Sequence, residues 1–183
     1  VPSGSVQGGH RPFFFIVDTA AQGAAGPFRG MEVMGVYTNA QNQLVTLPNV
    51  EYLMPGDLIQ FIGKVSSFNN GTQLEATSAS SMTILGTRPI PTPAVVPVGA
   101  LNDAQRFKIP ATGEQWENAF VEFQNVTVTE VILFGGNRAS FNVVDANGNK
   151  INVSDRFLAQ KLPSYQTVNP ASPQTTGQFV PPV

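Results

Sequence analysis

Cysteine is absent from the 183 residues, which excludes disulfides, thiolate metal sites and a thiol nucleophile. Histidine occurs once, as His10 in a Gly-rich N-terminal stretch. A catalytic triad, a two-histidine metal site or a histidine general base would all rest on that single loop residue. Charge is scarce too: 12% of residues are charged, about half of the usual quarter. The net charge is -2, so no global field draws the chain to nucleic acid or to an anionic membrane. No apolar run approaches the ~18 residues of a membrane span, and Phe13–Val17 falls far short. The N-terminal stretch has no basic segment followed by a long apolar core, so no signal peptide is expected in it.

What the chain has in quantity is punctuation: 17 Gly and 15 Pro. Many turns and few long helices follow. The organising stretch is residues 55 to 86. Pro55-Gly56-Asp57 is a turn, an apolar run with an internal Gly63 follows, and Asn69-Asn70-Gly71 is a reversal that tolerates positive φ. A glycine inside a strand marks a bulge or a bend. This stretch therefore predicts two long, bent, antiparallel strands.

Before it, residues 13 to 18 predict a short strand, residues 31 to 38 a partner strand, and residues 49 to 53 one helical turn. After it, Arg88-Pro89-Ile90-Pro91-Thr92-Pro93 is an extended linker. A short helix is expected over 100 to 108, capped by Asn102 or Asp103, and another turn over 112 to 116. Residues 119 to 131 predict one long strand with a bulge midway. Gly135-Gly136-Asn137 turns the chain. Residues 140 to 145 and 150 to 153 form a hairpin through Ala146-Asn147-Gly148-Asn149. A last short helix is expected over 155 to 162.

The halves echo each other. Phe15-Ile16-Val17-Asp18, loop, Glu32-Val33-Met34 parallels Phe141-Asn142-Val143-Val144-Asp145, turn, Ile151-Asn152-Val153. Both read strand, Asp, reversal, strand, as two copies of one module would. The first copy lacks the long opening strand of the second, and the second lacks the long closing hairpin of the first. The expected division is 1–86 for the first module, 87–117 for the linker and 118–183 for the incomplete second.

Gly56-Asp57-Leu58-Ile59-Gln60-Phe61-Ile62-Gly63-Lys64-Val65-Ser66-Ser67-Phe68-Asn69-Asn70-Gly71-Thr72-Gln73-Leu74 resembles the motif of OB-fold modules in large secreted bacterial proteins, among them modules beside extracellular nuclease and phosphoesterase domains. Residues 13–18, 26–30 and 36–38 fit the preceding strand pair, and residues 117–128 fit the opening of a second module. The resemblance covers roughly residues 12 to 155. It implies an all-β chain of two OB-fold-like Greek-key barrels, the second incomplete, with few short helices. The implied role is a non-catalytic accessory or spacer module of an exported, extracellular or cell-surface bacterial protein, with a possible binding face. The catalytic domain of such proteins lies elsewhere in the chain, and no catalytic residue is expected here.

OB barrels bind oligonucleotides or oligosaccharides. A single-stranded nucleic-acid partner, serving a neighbouring nuclease domain, would need aromatic platforms beside cations. Tyr37, Phe61, Lys64, Phe68 and Arg138 are the candidates, against the plainer reading that half of each strand's aromatics are core. The basic residues never cluster, so such binding would be weak and salt-sensitive. A hydrolase built on paired carboxylates is the remaining reading, and the acids are spread apart. Asp145-Ala146-Asn147-Gly148-Asn149 spaces oxygen ligands as a calcium loop does, but it lacks the length and the downstream Glu, and a hairpin turn already explains it. No cofactor or metal is expected. Trp116 is expected to anchor the linker by packing. Unpaired strand edges predict self-association.

Overall fold

The computed structural model describes residues 12–18, 24–68, 70–134 and 138–154, and for Phe134 and Arg138 the backbone alone. His10, the 135–137 turn and the helix expected over 155–162 lie outside the described residues. Strands dominate, as expected of an all-β chain. Among the described residues the one α-helix is a single turn, α1 (Pro110–Gly113). No helix there is long and apolar enough to cross a membrane. The chain divides into two compact units, Val1–Val95 with Gln115–Glu122, and Val96–Glu114 with Phe123–Val183.

The first unit is built on a four-stranded sheet of order β1-β2-β7-β6. Its strands are β1 (Phe13–Val17), β2 (Gly30–Met34), β6 (Gly63–Phe68) and β7 (Gly71–Ala76). β1 and β2 are antiparallel, as are β6 and β7, but β2 and β7 run parallel. A parallel pair needs a long crossover, and residues 35–62 are part of it. They hold the hairpin of β3 (Val36–Thr38) and β4 (Leu44–Thr46), a 3-10 turn at Val50–Tyr52 and strand β5 (Asp57–Phe61). β5 pairs with β8 (Met82–Thr87).

The expected turn at 49–53 is present and Phe68 pairs with Gly71 across the expected reversal, with Asn49 and Asn70 in the left-handed region. The strand expected over 31–38 is interrupted at Gly35, whose N–H donates to Pro12 and whose carbonyl accepts from Leu47. The long strand after Pro-Gly-Asp breaks at Ile62, whose N–H leaves the ladder for the Ser81 carbonyl. Gly63 follows that break, where a Cβ would collide with the Glu75 carbonyl.

Strand alternation puts Phe14, Val33, Leu74 and Val65 on one face of the sheet, in cross-strand register. That is the core side. Leu47, Val50 and Ala76 form the buried cluster, ringed by Phe14, Tyr37, Leu53, Phe61 and Met82. Phe14 and Phe61 meet edge to face at 6.4 Å, a geometry that aromatic quadrupoles favour.

Residues 115–122 return to this unit. Phe28 donates its N–H to Gln115, Thr72 donates its N–H to Glu117 Oε1, and Asn118 Nδ2 donates to the Thr72 carbonyl. Trp116, half-buried, lies in this segment. The segment ends in β10 (Val121–Glu122), which pairs in parallel with β9 (Ala94–Val95).

The second unit carries a three-stranded antiparallel meander, β11 (Thr127–Phe134), β12 (Arg138–Val144) and β13 (Lys150–Ser154). Ala139, Phe141 and Val143 are buried on one of its faces. The single strand expected over 119–131 is two pieces, β10 and β11, with the left-handed Asn125 between them. The bulge expected midway sits between Val128 and Glu130. The helix expected over 100–108 does not form. Instead Asp103 Oδ1 accepts the N–H groups of Gln105 and Phe107 at 2.9 and 2.8 Å. An aspartate bonding its own following backbone competes with the helical ladder, and left-handed Arg106 closes the loop.

Candidate binding face

The sheet face opposite the first unit's core gathers the most organised set of polar and aromatic side chains. Its rows follow from register. Phe15, Glu32, Gln73 and Ser66 stand side by side across the four strands, and Phe13, Met34, Glu75 and Lys64 form the next row. Phe68, two residues beyond Ser66 on the same side, ends β6. Phe13 and Phe15 meet at 6.1 Å in a T-shaped contact.

The centre is knit by hydrogen bonds. Ser66 Oγ donates to Glu75 Oε1 at 2.7 Å, Gln73 Nε2 donates to the same oxygen at 3.1 Å and also lies 3.1 Å from Ser66 Oγ. Lys64 Nζ sits 3.1 Å from Glu75 Oε2. Gln73 is only 7% exposed, so a buried amide with these partners is fixed in one orientation. Exposed pairs such as Lys64–Glu75 add little stability; here the pairing mainly orients the groups. Phe15 and Phe68, at opposite edges of the sheet, are 39% and 59% exposed. Buried Gln73 fixes the Glu75 carboxylate, which with Lys64 reaches solvent; these groups can hydrogen-bond a ligand, and the flanking exposed rings can stack on it.

The Ser66 hydroxyl, with Lys64 beside it, holds the Glu75 carboxyl below its ordinary range. A second carboxyl, Asp145, is also held low, by the Asn149 side-chain amide first and then by backbone N–H groups. Its Oδ1 accepts from the N–H of Asn147 and of Asn149, and its Oδ2 from Asn149 Nδ2. The aspartate is the clasp of a hairpin turn.

Both groups have folded pKa values below their unfolded ones. Each therefore contributes stability that is full above the unfolded value, 4.5 for Glu75 and 3.8 for Asp145, and is lost as pH falls through the folded value. We expect the urea midpoint to fall less between about pH 5 and about pH 3 in Glu75→Gln and in Asp145→Asn than in the parent. An unchanged pH dependence in both variants would contradict the assignment.

Lys64 and Phe68 are thus brought together on one exposed strand. Tyr37 and Phe61 are half-buried against the core cluster instead. Arg138 opens β12 in the second unit. The partners that sequence reasoning missed are Ser66, Gln73, Glu75 and Glu32. The signal for three of them was available: a two-residue reversal after Phe68 dictates that Ser66 faces Gln73 and Lys64 faces Glu75.

The second unit has its own polar row. Asn142, buried, donates to Glu130 Oε2 at 2.6 Å and accepts from Arg106 and from Asn152 at 3.2 and 2.9 Å. Asn152 also donates to Ser140 Oγ. These bonds tie the 102–108 loop to the meander, so their evident work is structural. Comparison of the chain with protein-family models, with curated proteins and with solved structures finds no match.

Proposed function

We propose that the chain is a non-catalytic accessory segment of an exported bacterial protein, made of two OB-like modules with the second incomplete, and that the face around Gln73 binds a polymer for a neighbouring domain. The observation that carries this reading is the preordered Ser66–Gln73–Glu75 group between exposed Phe15 and Phe68. The strand connectivity supports the OB-like part: a hairpin pair, a parallel partner and a closing hairpin in the first unit, and a meander in the second. The low charge suits a protein that works outside the cell.

An uncharged glycan is the preferred ligand class. Glu32 and Glu75 outnumber Lys64 on this face, and a phosphate backbone needs cations. Carboxylate and ring surfaces suit sugar hydroxyls and sugar faces. Single-stranded nucleic acid is the second reading, favoured by Lys64 and Phe68 lying on one side of β6.

Affinity electrophoresis against neutral soluble polysaccharides tests the first reading. Retardation that persists in high salt and is lost in Phe68→Ala is expected. Binding of labelled single-stranded DNA that fades steeply with salt would replace it by the second. Indifference to both would remove the binding face and leave a spacer.

A further inference from the structure

We propose that two copies of the chain associate by pairing β6 of each with β11 of the other. Both strands are edges. β6 ends the sheet of the first unit and β11 ends the meander of the second, and among the described residues each pairs on one side only. Edge strands present a row of free N–H and C=O groups, and proteins usually blunt them with charge, proline or a cover. Here the protection is slight. Lys64 is the sole charged residue of β6, and neither strand contains proline. Val65 is 67% exposed although it stands in the row of Phe14, Val33 and Leu74 on the core side. On β11, Val131 is 40% exposed although its cross-strand neighbour Phe141 is buried.

The backbone supplies the donors. In a hairpin closed by a two-residue loop the flanking pair, here Phe68 and Gly71, is hydrogen-bonded. Lys64 and Ser66 therefore bond inward to β7, and Val65 and Ser67 turn their N–H and C=O groups outward.

Register then selects β11. An antiparallel pairing with Val65 opposite Val131 sets Ser66 opposite Glu130 and Lys64 opposite Ile132. Val65 and Val131 both belong to the apolar layer of their sheets, so the layers join. Ser66 and Glu130 both belong to the polar faces, so these join too. Lys64 then lies diagonal to Glu130, within reach of a favourable charge pair. A slip by one residue would set each apolar layer against a polar face. Each chain carries one β6 and one β11, and within a chain these belong to separate sheets. Pairing each β6 with the other copy's β11 makes the two contacts identical, the condition for a two-fold interface.

The test is mass and proximity in solution. Light scattering after gel filtration should give twice the 19.5 kDa of the chain, falling to the single mass in Val65→Pro. That substitution removes an outward donor at an edge position where proline is tolerated; unchanged circular dichroism would show that the fold survives. The parent lacks cysteine, which allows a second, gentler measurement. Val65→Cys and Val131→Cys chains are mixed and treated with a short bis-maleimide. A covalent dimer well above that of either variant alone is expected. A single-chain mass at every concentration, or no excess cross-linking in the mixture, would overturn the proposal.

Discussion

Leu47→Ala lowers the stability of the first unit by about 2–5 kcal/mol, the range for a buried leucine whose surroundings cannot collapse. Leu47 is 1% exposed. Around it stand Val50 and Ala76, with Phe14, Tyr37, Leu53, Phe61 and Met82 behind them. Two of those groups are rings locked edge to face, and Ala76 belongs to a strand of the central sheet. Neither rings in contact nor a laddered backbone can shift cheaply into the space of three lost carbons. Interiors are packed too densely to absorb such a void. Trp116 is the only tryptophan and belongs to this unit, so its fluorescence during urea unfolding reports the loss. Phe107→Ala, at an exposed position of the other unit, is the control and should leave that transition unmoved. A loss under about 1 kcal/mol for Leu47→Ala would mean that the cluster is not the core of the unit.

Gly30→Val should be comparably severe, for the opposite reason. A Cβ on Gly30 would collide with the Asn118 carbonyl and the Ala119 Cα. These are backbone atoms, and Asn118 already sits in the left-handed region, so the segment has no easy retreat. Either β2 distorts or residues 117–119 lift away. Lifting forfeits the hydrogen bonds that Glu117 and Asn118 make with Thr72, each 2.8 Å long. Overpacking costs about 1–3 kcal/mol, and each lost bond about 1 kcal/mol more, so about 3 kcal/mol or above is expected. Trp116 emission should shift to the red as its segment is released. Gly26→Ala is the matched control: its new Cβ would meet only the Arg29 side chain, at 3.5 Å. Equal stability of the two variants would show that segment 115–119 is not seated on the sheet.

Local turn chemistry made much of this fold legible. Asn70-Gly71 names its reversal, Pro55-Gly56 its turn, and Asp145 with Asn147-Gly148-Asn149 its hairpin, because each depends on a conformation that few residues tolerate. Asp103 misled for a related reason. The same side chain that caps a helix can instead close a loop, and only the surrounding contacts decide. Asn125, in the left-handed region, broke a strand where the alternation suggested only a bulge.

The face assignments show why site residues are harder to read than elements. Phe61 and Lys64 lie close in sequence, yet the break at Ile62 puts them in different ladders, β5 with β8 and β6 with β7. Phe61 consequently reaches the core while Lys64 meets Glu75. Within β6 the ladder is unbroken, so Lys64, Ser66 and Phe68 could be placed together from spacing alone. The parallel pairing that brings Glu32 beside Gln73 joins strands about forty residues apart, and no local pattern announces such a contact.

The reading of this protein as a binding accessory rests on the face around Gln73. Residue-resolved amide titration of the isotope-labelled chain with a neutral oligosaccharide tests it most directly. The account predicts saturable shifts concentrated at Ser66, Phe68, Gln73 and Glu75, and their disappearance in Phe68→Ala. Shifts confined to other strands, or none with any glycan tried, would contradict it.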